Sequence, residues 1–168
     1  MSSKLSVSKL VTDHWSTLRD GRTERPRRRD FVVHYGAPVA IAGTATLLGA
    51  RLHDAEQMIA GAAVLAGFSF ALAVYVFQLR LEVARDPRVP AGDPLVDLVD
   101  ELFANVTYSV LAGLAVVGLA AAATSFAPPQ ASLGAWWTFV IAASALHYVI
   151  TLLMCLKRLR IAYVRLTI

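Results

Sequence analysis

"RPRRRDFVVHYGAP", Arg25 to Pro38, sets four arginines directly against the start of a long apolar run. Those arginines are an export signal, a contact for an anionic partner, or the charge that fixes which way a membrane protein faces. The rest of the chain decides between these readings. Of its 168 residues, 57% are hydrophobic and only 17% charged, with a mean hydropathy of +0.56, whereas a soluble domain carries about 25% charge. Eight of the sixteen Lys and Arg fall in the first thirty positions. Such segregation is that of a membrane protein. The single cysteine, Cys155, excludes an intramolecular disulfide, and no Cys/His spacing suggests a metal site or a cofactor.

A hydrocarbon core of about 30 Å takes roughly 20 apolar residues as a helix, and four stretches approach this: residues 32–50, 58–79, 104–126 and 135–156. The first contains Pro38 and is rich in Gly, Ala and Thr, which lowers its hydropathy. Basic residues concentrate on cytoplasmic segments. With the N-terminus inside, fifteen of the sixteen are cytoplasmic and only Arg51 is outside. The expected fold is therefore an all-α integral membrane four-helix bundle in the cell membrane, with both termini cytoplasmic. Residues 1–30 form a basic cytoplasmic segment, and residues 31–168 form the spanning domain.

This topology accounts for the arginines. "RRDFV" approaches a twin-arginine export signal, but three further spans follow it and no exported domain. Nucleic acid is not an expected partner, since no aromatic residues interleave with the arginines and the net charge is only +4. Arg25, Arg27, Arg28 and Arg29 are instead expected to meet anionic lipid headgroups, at about 1 kcal/mol each, or a soluble cytoplasmic protein. Upstream, Val7, Leu10, Val11, Trp15 and Leu18 recur at helical spacing. That pattern predicts an amphipathic helix on the inner leaflet.

The charged middle loop is informative. Asp86 before Pro87 ends one helix, and Asp93 before Pro94 begins the next. Asp97, Asp100 and Glu101 then share one helical side. They form either an acidic pore mouth in an oligomer or, the reading the charges favour, ion pairs with Arg80, Arg85 and Arg88 on the preceding helix. Within the spans polar residues need partners, and His147 is the outstanding one, on a stripe with Ala143, Thr151 and Cys155. Its place is a packed helix interface or a proton-conducting path, with Asn105 and Tyr108 among the available partners. Small residues recur at every fourth position, as in Ala63, Gly67 and Ala71, and predict close helix approach and homo-oligomerisation. No acid, base and nucleophile set appears, so catalysis is not expected.

The stretch "LVDELFANVTYSVL", Leu98 to Leu111, the basic amphipathic N-terminus and thirteen arginines against three lysines resemble the small four-pass membrane proteins of actinobacteria and their temperate phages. The resemblance covers architecture and carries no residue roles. It implies an effector in defence against superinfecting phage. The function expected from the whole chain is a non-enzymatic oligomer that perturbs or gates ion permeability. A membrane scaffold recruiting a soluble partner and a small transporter subunit are the alternatives.

Overall fold

The computed structural model describes residues 7–18, 31–53, 55–90, 92–126 and 132–167. Among them the protein is all-helical: α1 is Val7–Ser16, α2 Val32–Leu47, α3 Ala55–Arg85, α4 Pro94–Phe126 and α5 Ala135–Thr167. Three helices, α3, α4 and α5, are long and apolar enough to cross a membrane. Their outward faces carry Phe68, Phe70, Phe77, Leu114 and Leu153, each more than half exposed. Helices that stay apolar on the face away from the core suit a lipid solvent.

The first predicted span is shorter than expected. α2 ends at Leu47, where Gly49 takes a left-handed φ of 93° and Arg51 donates to the carbonyls of Thr46 and Ala50. Its 16 residues reach about 24 Å. Its first turn, Val32–Gly36, is a π turn in which the Ala37 amide bonds the Val32 carbonyl. Pro38 explains part of this irregularity, because it has no N–H to donate to the carbonyl of His34 four residues back.

Local chemistry sets the turn between α3 and α4 as the sequence predicts. α3 stops at Arg85, and the Asp86 carboxylate accepts the Arg88 amide at 2.9 Å. The Asp93 carboxylate then accepts the Leu95 amide at 2.8 Å, one of the N–H groups a helix start leaves free. At the opposite end, the Leu133 amide bonds the Leu52 carbonyl at 2.8 Å and so ties the two connecting segments together.

The seam between α3 and α4 is built from small residues, and the stripe of Ala63, Gly67 and Ala71 faces away from it. On α3 the buried residues are Ala62, Ala66, Ser69 and Ala73. On α4 the seam is Ser109, Gly113, Val116 and Ala120. Gly113 is where the approach is tightest: an added Cβ would lie 2.9 Å from Tyr148 Cζ and 3.0 Å from Ala66 Cβ. Gly113→Ala would displace the Tyr148 ring and strain its 3.0 Å hydrogen bond to Ser69. Overpacking of this kind costs about 1–3 kcal/mol, so the thermal unfolding midpoint in detergent should fall. An unchanged midpoint would mean that the seam can spread at little cost.

α1 forms where the spacing predicts a helix. It docks against α4 rather than standing apart from the bundle, and its most buried side chain is His14, with no exposed surface. His14 lies three residues after Val11 and four after Leu10, within the stripe that was read as apolar.

Candidate functional site

The docking of α1 closes a buried polar array. His14 comes from α1, His34 from the π turn of α2, Asn105 and Tyr108 from α4, and His147 and Thr151 from α5. His14 stacks flat on Tyr108, with ring centroids 3.9 Å apart and 1° between planes. The His34 and His147 rings meet edge to face at 4.6 Å. Tyr35 stacks on the other side of His147 at 4.9 Å, and its hydroxyl accepts the Trp15 indole N–H at 2.7 Å.

The acceptors identify where each proton sits. A carbonyl can only accept, so His147 must carry its proton on Nδ1, 3.2 Å from the backbone oxygen of His34. That carbonyl is the one Pro38 leaves without a helical donor. With that single proton on Nδ1, Nε2 of His147 is bare and accepts the Tyr108 O–H at 2.8 Å. Asn105 Nδ2 donates to the Glu101 carbonyl at 2.9 Å, which turns Oδ1 toward His14 and makes His14 Nδ1–H the donor at 2.7 Å. His14 Nε2 is then bare and faces His34 Nε2 at 3.3 Å. His34 supplies the proton, and it shares that donor with Thr151 Oγ1 at 3.3 Å, because the Thr151 proton goes to the His147 carbonyl. One proton on each imidazole satisfies every one of these contacts.

Every buried side-chain nitrogen and oxygen among the described residues has a hydrogen-bond partner. Satisfaction matters here, since an orphaned buried polar group costs about 1–3 kcal/mol. Burial pushes the His14 imidazole down from its ordinary 6.5 to about 4; the Asn105 bond works against this, while His147 and Arg158 add to it. Both nitrogens of His147 are used within the array, and no group of three or more His, Cys, Asp or Glu side chains able to hold a metal occurs among the described residues.

Toward the basic end of α5 the array reaches charged groups. Thr17 Oγ1 lies 2.8 Å from Asn105 Oδ1, and the Thr17 carbonyl accepts Arg158 Nη2 at 2.7 Å. Arg158 also pairs with Glu101. On the other side, a cleft of about 380 Å³ opens beside Tyr35, Tyr108 and His147, with Pro38, Leu111 and Ala143 in its wall.

The acidic cluster is divided by this arrangement. Asp100 holds Arg80 through two nitrogens, at 2.5 and 3.2 Å. Glu101 takes its arginine from α5 rather than from the helix before it. Asp97 and Arg85 are exposed at the helix ends, and Arg25, Arg27, Arg28 and Arg29 lie outside the described residues. Of the predicted intramembrane residues, His147, Thr151, Asn105 and Tyr108 all belong to the array. His14 and His34 were missed by sequence reasoning, although each is a histidine next to an apolar run. Sequence and fold comparisons find no matching family model, no similar curated protein and no similar solved structure.

Proposed function

We propose that the chain is a non-enzymatic, multi-pass membrane protein that assembles with copies of itself and gates the permeation of small ions. Both termini face the cytoplasm in this reading, with α2 as a fourth, short crossing around which the bilayer thins. The observation that carries it is the polar array of His14, His34, Asn105, Tyr108, His147 and Thr151, set among apolar helices and continued by Thr17, Arg158 and Glu101. Titratable groups inside a membrane protein are costly and mark ion or proton paths. His147 sits twelve residues into α5, about 18 Å along the axis, so the array reaches deep into the hydrocarbon. The cleft beside Tyr35, Tyr108 and His147 is where a second copy would complete the path to the other face. An effector role in phage exclusion, which the architecture suggests, fits a protein that dissipates an ion gradient when triggered.

The test is ion flux and membrane potential in liposomes carrying the purified protein, with subunit stoichiometry measured on the same sample. Flux above that of empty liposomes, from a defined oligomer, supports the reading. Tight vesicles would sink it and leave a scaffold that docks a soluble partner through its basic cytoplasmic segment.

A further inference from the structure

α1 is the one helix of the array that is not apolar overall, and it is held there through a neutral His14. We propose that α1 is a plug over the histidine array, and that proton uptake at His14 releases it. The proposal rests on the reading of the array as a permeation element and adds its trigger.

The argument is geometric. His14 Nδ1–H already donates to Asn105, so a second proton must go to Nε2, which faces His34 Nε2 at 3.3 Å. Two N–H groups would then oppose each other unless His34 moved its own proton to Nδ1. In either case a positive charge remains, in a place where nothing answers it. From α1 itself the nearest carboxylate is Asp13, which is only half-buried on a neighbouring position. From α2 the facing groups are His34 and Tyr35; from α4 they are Asn105 and Tyr108, with Glu101 one turn away and paired to Arg158; from α5 they are His147 and Arg158. Arg158 and a charged His147 both repel a cationic His14. An unpaired buried charge is among the most costly arrangements in a protein, whereas the same imidazolium on a released α1 is solvated by water and headgroups.

The sign follows from linkage. The docked imidazole titrates at about 4 and a released one near its ordinary 6.5. Docking is thus fully favoured above pH 6.5 and weakens as the pH falls from there toward 4. At pH 4.5 the docking equilibrium is weaker on the order of 100-fold than at pH 7.5.

The experiment is a distance measurement on the full chain in phosphatidylcholine vesicles, with Cys155→Ala, Lys9→Cys and Arg160→Cys carrying spin labels; residues 9 and 160 are both exposed. A single narrow distance at pH 7.5 that broadens at pH 4.5 is expected. His14→Phe keeps an aromatic ring on Tyr108, and it leaves Asn105 with Thr17 and His34 with Thr151, so its narrow distance should persist at both pH values. His14→Lys should be broad already at pH 7.5. A wild-type distance that stays narrow at pH 4.5, or a His14→Phe variant that broadens as the wild type does, overturns the proposal. Flux recorded in the same vesicles separates the two ideas: acid broadening with no flux at either pH retains the plug and rejects the permeation reading.

Discussion

Asn105→Leu is expected to free α1 from the bundle while α3, α4 and α5 stay assembled. Leucine has the same branching and the same number of side-chain heavy atoms, so the core around Val99, Leu102 and Val106 should accommodate it. The loss falls on α1. His14 Nδ1–H, with no exposed surface, would face a methyl group, and Thr17 would lose the Oδ1 atom 2.8 Å from its hydroxyl. The Thr17 hydroxyl keeps the His14 carbonyl at 2.7 Å, so the unsatisfied His14 donor carries the cost, about 1–3 kcal/mol or about 5- to 150-fold in the docking equilibrium. Hydrogen exchange at the amides of Val7–Ser16 would report it at neutral pH, as a loss of protection confined to α1. The double variant His14→Phe, Asn105→Leu should regain most of that protection, because replacing both partners by apolar groups removes the orphan. If Asn105→Leu alone leaves α1 as protected as in the wild type, the polar contact does not hold the helix, and apolar packing by Leu10 and Val11 does.

The features legible in the sequence are those set by short-range chemistry or by composition. Asp93 before Pro94 marks a helix start because a carboxylate two residues back from Leu95 can take its free N–H, and no distant residue has to cooperate. The long apolar helices follow from hydropathy. His147 was conspicuous because it is a titratable group in an apolar run, and Tyr108 was among the partners within its reach. What escaped notice depends on tertiary placement. The four-residue spacing of Ala63, Gly67 and Ala71 matches that of Ala62 and Ala66 one position away, and only the contact with Gly113 decides which face is buried. Glu101 found its arginine 57 residues away on α5. His14 lay inside an apolar stripe and His34 beside an arginine run, where each has an ordinary surface explanation. The overlooked signal was Pro38: a proline four residues after His34 frees that carbonyl, and a freed carbonyl inside a membrane has to find a donor.

His147 should separate permeation from packing through the opposite behaviour of two substitutions. In a packing role, His147→Leu and His147→Ala both remove the acceptor for Tyr108 and the donor to the His34 carbonyl. Both would then lower stability, and the alanine variant more so, because it leaves a void beside the existing cleft of about 380 Å³. Flux through reconstituted vesicles would follow the amount of folded protein and nothing else. In a permeation role the two variants diverge. Leucine places an apolar, space-filling group in the path, which removes both the proton-accepting nitrogen and the room for water. Proton flux per folded oligomer should fall at least about tenfold, the effect of ~1.4 kcal/mol on a barrier. Alanine instead joins the void to a cleft bordered by the Tyr35 and Tyr108 hydroxyls and the bared His34 carbonyl, enough polar partners to hold water. Flux per folded oligomer in His147→Ala should equal or exceed that of the wild type. Equal flux in all three proteins, normalised to folded oligomer, would take His147 out of the path and leave it a satisfied histidine at a helix interface.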